Sequence, residues 1–323
     1  MAQLKKYWKS FAVVGVLGGA LLTFSLVGCR PTSHPLAAGS YGISHGAVEL
    51  EAVIEQPGPV EVETIAAANW EVPREGLINL EHPTARAQGL EPGPEAIKIY
   101  FHALRHPQHG LFIVDTGVER AQRDAPDQAL LRGIVADVMN VDRMKVSVDT
   151  AGWLERQQQP LAGVFFTHLH ADHLTGLRDV PRGTALYAGP GETTERKAEN
   201  LFARPIVDAA FHGHTPLRQW SFQPDPSGKF AGVLDVFGDG SVWALHVPGH
   251  SAGSTAYLVR TPKGPVLLVG DACHTAWGWR NGVEPGDFSH DKPRSARSLE
   301  QLRALVARHP GIDVRLGHQP LSG

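Results

Sequence analysis

Short apolar runs closed by glycine, proline or polar clusters recur along the chain and alternate with stretches of helical spacing. Ile97, Ile99 and Phe101 alternate with polar residues, His106-Pro107-Gln108-His109-Gly110 breaks the run, and Leu111–Val114 resumes it, which predicts a β-hairpin. Leu130, Leu131, Ile134, Val135 and Val138 recur at helical spacing within Asp127–Met139, and a shorter helix is expected over Asp149–Gln158. Leu161–Phe166, entered from Pro160, predicts a buried strand. Beyond it the pattern predicts a strand over Thr184–Ala188, a helix over Glu192–Phe202, and a strand pair, Gly232–Phe237 with Val242–Val247, turned at Gly238-Asp239-Gly240. A second hairpin joins Ser254–Val259 to Pro265–Val269 across Thr261-Pro262-Lys263-Gly264. A helix over Arg297–Arg308 and a strand over Ile312–Leu316 close the chain. Strands punctuated by helices argue for a layered α/β fold.

The start of the chain follows a different rule. Lys5, Lys6 and Lys9 lead into the apolar run Phe11–Val27, and Leu26-Val27-Gly28-Cys29 ends it, so residues 1–29 read as an export signal. Those last four residues resemble the lipobox of bacterial lipoproteins, which implies a lipidated Cys29 and a chain held at the bacterial cell envelope on the extracytoplasmic or periplasmic side. An uncleaved anchor and a plain cleaved signal are the alternatives. Residues 30–60, rich in Pro, Gly, Ser and Ala, read as a flexible tether, with Val48, Leu50, Val53 and Ile54 as an optional short surface strand. The catalytic domain is expected over residues 61–323.

Composition narrows the function. The 323 residues are 42% hydrophobic and 20% charged, ordinary for a globular enzyme, and a net charge of −3 with scattered Lys and Arg gives no footprint for nucleic acid. Only two cysteines are present, so if Cys29 carries lipid no disulfide supports the fold, and Cys273 reads as a small buried filler.

The chemistry gathers where the Leu161–Phe166 strand ends, in Thr167-His168-Leu169-His170-Ala171-Asp172-His173. Imidazole with carboxylate suits zinc and its first-row neighbours, and four such groups in six residues exceed what one tetrahedral ion collects from so short a segment. Two ions are therefore expected. His250, Asp271 and His318 each follow a predicted strand and stand beside glycine, which permits a tight turn and close backbone approach. His102, His106 and His109 fall in or beside a turn or on a strand's polar side and read as solvated.

His168-x-His170-x-Asp172-His173, followed in order by His250, Asp271 and His318 and preceded by Val114-Asp115-Thr116-Gly117, resembles the metallo-β-lactamase fold superfamily over roughly Ala96–Gln319. The resemblance implies a four-layered αβ/βα sandwich with the site at one edge. It implies that His168, His170 and His250 hold one Zn2+, that Asp172, His173 and His318 hold a second, that Asp271 bridges them and that Asp115 supports the ligand loop. Iron or manganese would suit the same donors.

Two such ions would share a water and present hydroxide to an electrophilic carbonyl, with Asp172 carrying the proton. Aspartate at the bridging position departs from true β-lactamases and resembles the N-acyl homoserine lactonases and the glyoxalase II-like thioesterases. Lactone opening in the manner of quorum quenching is the leading expectation. A thioesterase, a phosphodiesterase and a mononuclear iron redox protein are the alternatives. Where those lactonases often carry a tyrosine three residues after the bridging Asp, this chain has His274, which could donate to a developing oxyanion. Trp277 and Trp279 are candidates for the wall of a substrate pocket, with ordinary packing the other reading.

Overall fold

The computed structural model describes residues 29–197 and 200–321. In chain order the strands are β1 (Leu36–Ala38), β2 (Ile43–His45), β3 (Glu61–Pro73), β4 (Pro94–His106), β5 (Gly110–Val114), β6 (Lys145–Val146), β7 (Leu161–Phe165), β8 (Ala185–Ala188), β9 (Leu217–Gln219), β10 (Gly232–Asp235), β11 (Val242–His246), β12 (Thr255–Thr261), β13 (Gly264–Leu268) and β14 (Asp313–Arg315). The longer helices are α1 (Ala47–Val53), α2 (Gly133–Met139), α3 (Asn200–Phe211), α4 (Ala276–Asn281) and α5 (Lys292–Arg308). Eight strands form one sheet in the order β1-β9-β8-β7-β5-β4-β3-β6, and six form the other in the order β14-β13-β12-β11-β10-β2.

Alternation along the strands builds the layers, because successive side chains point to opposite faces. On β5, Phe112 and Val114 face the second sheet, where they meet Tyr257 and Val242, while Leu111 and Ile113 face helices on the outside. On β11, Val242 and Ala244 face inward, and Trp243 and Leu245 pack outward with Leu50 and Ile54 at α1 and Leu299, Leu302 and Leu305 of α5. Helices thus cover both outer faces, which is the expected four-layered αβ/βα sandwich. The hairpins β4–β5 and β12–β13 and the pair β10–β11 form with antiparallel register as the pattern predicted.

Several expectations need correction. Residues 30–60 are not a tether: β1 pairs with β9, β2 pairs with β10, and Ala47, Leu50 and Ile54 are fully buried. The residues read as an optional strand form α1, because Leu50 and Ile54 fall one turn apart and both enter the outer core. In Asp127–Met139 only Gly133–Met139 is α-helical, and Ile134 and Val138 are 81% and 56% exposed rather than packed. The helix placed at Glu192–Phe202 is α3, Asn200–Phe211, with Glu192 in a turn before it. His102 and His106 are buried, not solvated. The ring of His106 accepts backbone N–H groups from Gln108 and His109 at Nδ1 and pairs through Nε2 with Asp239 at 2.9 Å, so the turn folds around it. His109 stacks on Phe237 with ring centroids 4.3 Å apart.

The apolar leader Phe11–Val27 lies outside the described residues. Among the described residues no helix is long and apolar enough to cross a membrane.

Candidate metal centre

Strand direction delivers the site. β5 and β7 are parallel neighbours, so their carboxyl ends leave the sheet side by side, and β13 and β14 do the same in the other sheet. Asp115 follows β5, His168 follows β7, Asp271 follows β13 and His318 follows β14, while His250 lies between β11 and β12. All seven histidine and aspartate positions expected from the strand ends and the cluster therefore meet along one edge.

The Asp115 carboxylate fixes the histidine-rich loop. Its Oδ1 accepts the Thr167 backbone N–H at 2.8 Å, and its Oδ2 accepts the Thr167 hydroxyl at 2.9 Å and His173 Nδ1–H at 2.8 Å. Asp115 adopts φ 59°, a left-handed backbone that aspartate tolerates better than most residues, and this turns its side chain toward the loop. Glycine beside the ligands has a steric cause at two places. A Cβ on Gly317 would lie 2.3 Å from Asp271 Oδ1, and one on Gly249 would lie 2.2 Å from the Ser295 backbone nitrogen.

Two clusters of donor atoms result. His168, His170 and His250 form the first, with His250 Nε2 at 3.1 Å from His168 Nε2 and 2.9 Å from His170 Nδ1. Asp172, His173, Asp271 and His318 form the second. Asp271 Oδ2 stands between them, 3.4 Å from His250 Nε2, 3.7 Å from His168 Nε2, 3.4 Å from His173 Nε2 and 3.3 Å from His318 Nε2. Asp172 Oδ2 lies 3.4 Å from His318 Nε2.

The distal ring nitrogens show which face is free. His173 donates Nδ1–H to Asp115, and His318 donates Nδ1–H to the Lys98 carbonyl at 2.9 Å. A ring that donates from Nδ1 keeps a lone pair at Nε2 in its neutral form. Burial, with neighbouring imidazoles adding to it, holds His168 and His250 well below the usual imidazole range, and burial pushes His170 down to about 4. Burial also opposes charge on His173, but Asp271, Asp115 and Asp172 outweigh it and raise that imidazole well above its ordinary range. For Asp271 burial is outweighed by His318, His274 and His173, which hold the carboxyl well below the carboxylate range.

The imidazoles of His168, His170 and His250, held neutral and converging nitrogen to nitrogen, call for a cation at the point where their lone pairs meet. His173 Nε2 and Asp271 Oδ1 are buried without a hydrogen-bond partner, which agrees. The donor set fits two ions of the zinc type, three imidazoles facing one and two imidazoles with a carboxylate facing the other, with Asp271 reaching both.

A cavity of about 430 Å³ stands over this centre. Trp70, Val72, Leu77, Ile97, Met139 and Phe288 give it an apolar wall, and no lysine or arginine lines it among the described residues. His274 is in its lining, buried, with Nδ1–H donated to the Leu77 carbonyl at 3.0 Å and Nε2 at 3.1 Å from Asp271 Oδ2. Both ring nitrogens of His274 are thus engaged within the protein. Trp277 and Trp279 are not part of this wall. Trp279 packs into the outer core that also holds Leu299 and Leu302, and Trp277 packs at the edge of the core on the other sheet. Cys273 is buried, its thiol pushed up to about 12 by that burial, which leaves no thiolate near the centre.

Sequence reasoning missed one residue of consequence. Glu192 is buried beside the first cluster, where Oε2 accepts the Leu169 N–H at 2.9 Å, and Oε1 accepts the Gly253 N–H at 2.8 Å and the Ser251 hydroxyl. One carboxylate therefore clamps both loops that carry His168, His170 and His250. Trp70 and Val72 also went unassigned, although their alternation about Glu71 was the available strand signal.

Known proteins agree with this architecture. The profile of the Metallo-beta-lactamase superfamily matches residues 100–317. An N-acyl homoserine lactonase AttM from Rhizobium johnstonii is 30% identical over 233 residues, covering 69% of this chain and 82% of that protein. Among solved structures, a quorum-quenching N-acyl homoserine lactone lactonase superposes with TM-score 0.57 at 18% identity, over 82% of this chain and 93% of the other. The dizinc quorum-quenching lactonase AidC gives TM-score 0.54 at 13% identity, over 83% of this chain and 90% of the other. Sequence match, sandwich and strand-end cluster agree, and the chain belongs to the metallo-β-lactamase superfamily.

Proposed function

We propose that the chain hydrolyses lactones, with N-acyl homoserine lactones as the substrate class, at a centre holding two zinc ions. The observation that carries this reading is the gathering of seven ligand-type side chains into two adjoining clusters, with Asp271 between them, beneath an apolar cavity wall. The likeness to the lactonase AttM supports the substrate class.

Two such ions, when bound, supply a nucleophile from water near neutral pH and polarise the carbonyl under attack. The chain does the rest. His168, His170 and His250 would hold the first ion, Asp172, His173 and His318 would hold the second, and Asp271 is placed to serve both. Asp172 is the most exposed of the three carboxylates at the centre, with 19% side-chain exposure against 5% and 4% for Asp115 and Asp271, so it is the one able to pass a proton from attacking water to the leaving alkoxide. His274 stands in the cavity lining with its ring held between the Leu77 carbonyl and Asp271, where it fixes the orientation of the Asp271 carboxylate. The apolar wall receives the acyl chain. Among the described residues no lysine or arginine lines the cavity, so an anionic group could be met only by the metal ions themselves.

Cys29, by its lipobox, carries lipid and holds the catalytic domain on the extracytoplasmic face of a bacterial membrane. The test combines metal content of the purified chain with a panel of acyl homoserine lactones, an aryl ester, a thioester and a phosphodiester. Two zinc ions per chain with lactones preferred is the expected result. Each buried methylene contributes about 0.8 kcal/mol, so KM should fall about fourfold per added carbon until the wall is filled. A preferred phosphodiester, or a single iron without hydrolysis, would overturn the reading.

A further inference from the structure

Cys29 does not hang free of the domain. It bridges to Lys197, and its carbonyl accepts N–H from Lys197 at 3.2 Å and from Asn200, the first residue of α3, at 2.9 Å. The next residues run along the same helix: the Thr32 hydroxyl and the Ser33 N–H both donate to Asp208, at 2.5 and 2.7 Å, and His34 stacks on Phe211. Pro31 lines a small cavity together with His170, Ala203, Val207 and His290, all four of which also line the cavity over the metal centre. Two residues span at most about 7 Å. The headgroup layer of one leaflet is about 5–8 Å thick. Whatever fixes Cys29 at a bilayer therefore brings the small cavity that Pro31 lines, next to the one over the metal centre, to within about one headgroup layer of the lipid.

The surface there is apolar. Ile134 and Val138, one turn apart on α2, are 81% and 56% exposed, and the next residue, Met139, lines the cavity. Leu201 is 60% exposed on α3, two residues before Ala203 of the cavity wall. Both helices that contribute to the cavity lining thus turn large aliphatic side chains to the outside, and Leu201 follows Asn200, whose side chain bonds the Cys29 carbonyl.

We propose that Ile134, Val138 and Leu201 seat in the interfacial layer of the membrane, so that the active-site cavity faces the bilayer and draws its substrate, an amphiphilic acyl lactone, from the lipid. This rests on the reading of residues 1–29 as an anchor, either lipidated or uncleaved, since both place the attachment at the same point. The absence of a slack tether is what makes the orientation definite: a chain pinned from Cys29 to His34 cannot swing about its anchor.

The test uses the full chain in phosphatidylcholine–phosphatidylglycerol vesicles, with an environment-sensitive fluorophore on Val138→Cys, Leu201→Cys or Lys263→Cys, and the chain without added cysteine as background. Lys263 is exposed on the turn of the β12–β13 hairpin, at the end opposite Asp271. Lipids carrying a quencher in the acyl chain should extinguish the probes at 138 and 201 and leave the probe at 263 bright. A chain that sediments with vesicles while 138 and 201 stay bright overturns the orientation alone. A chain that does not sediment overturns the anchor and the orientation with it. Quenching needs no lactonase activity, so the outcome is separate from the substrate assignment. The triple variant I134S/V138S/L201S supplies the functional arm, with loss of turnover on a long-chain lactone in vesicles and no change on a short, water-soluble one. Equal rates of variant and parent on the vesicle substrate would also refute the proposal.

Discussion

Replacing Glu192 with Gln removes one charge and one acceptor from a buried clamp and leaves the shape intact. The carboxylate takes three donors, the N–H groups of Leu169 and Gly253 and the Ser251 hydroxyl. A glutamine amide has only one oxygen, so whichever way it turns, at least one backbone N–H meets an NH2 group instead of an acceptor. A buried donor left unsatisfied costs about 1–3 kcal/mol, and the surviving bonds lose their charge assistance. The sum is about 2–4 kcal/mol, divided between fold stability and the rigidity of the loops bearing His168, His170 and His250. Loss of such supporting contacts weakens metal affinity by about 10–100-fold. The assay is competition for zinc against a chromophoric chelator, with urea unfolding of the metal-free chain alongside. Ser251→Ala removes a single donor and leaves both backbone bonds, so it should show the same effects at about 1 kcal/mol or less. A Glu192→Gln chain with the parent's zinc affinity and urea midpoint would refute the clamp.

Two further perturbations probe other parts of the argument. Asp172→Asn should lower kcat by about 10²–10⁴ if Asp172 carries the proton, and full turnover with both metals retained would remove that role. Glu51 of α1 is held down to about 2, from 4.5, because its bonds to Arg308 and Lys229 outweigh the burial that would raise it. A depressed carboxyl stabilises the fold above its unfolded pKa and loses that contribution as the pH falls from about 4.5 toward 2. After solvent screening the contribution is about 1–2 kcal/mol, so Glu51→Gln should lower the urea midpoint at pH 7 and match the parent near pH 2. A variant equal to its parent at neutral pH would mean that α1 is not tied to α5.

The strands about the site were legible because each carries its own period. Phe112 and Val114 alternate with Leu111 and Ile113 so regularly that two faces can be read without knowing what covers them. The metal ligands were legible for a related reason: each histidine or aspartate falls just past such a strand, and His168, His170, Asp172 and His173 are adjacent in the chain itself. Helices away from the site were less so. Ile134 and Val138 have the spacing of a buried stripe, yet spacing reports which residues share a face and not what that face meets. The 30–60 segment misled for the opposite reason. Its Pro, Gly and Ser content resembles a linker, while its few apolar residues, Leu50 and Ile54 among them, are enough to seat it because a preformed sheet awaits them.

The sequence by itself determined the fold class, the order of the strands' ends and the seven donors, since these rest on local period and on residue chemistry. Only the tertiary structure decided that Glu192 ties two ligand loops together, that Trp70 and Leu77 rather than Trp277 and Trp279 wall the cavity, and that Cys29 is bonded to Asn200 of α3. Those facts depend on contacts between residues far apart in the chain. Glu192 and Gly253 are separated by 61 positions, and Cys29 and Asn200 by 171. No local pattern encodes such a meeting, because it is set by how whole layers pack and not by the preferences of the residues that meet.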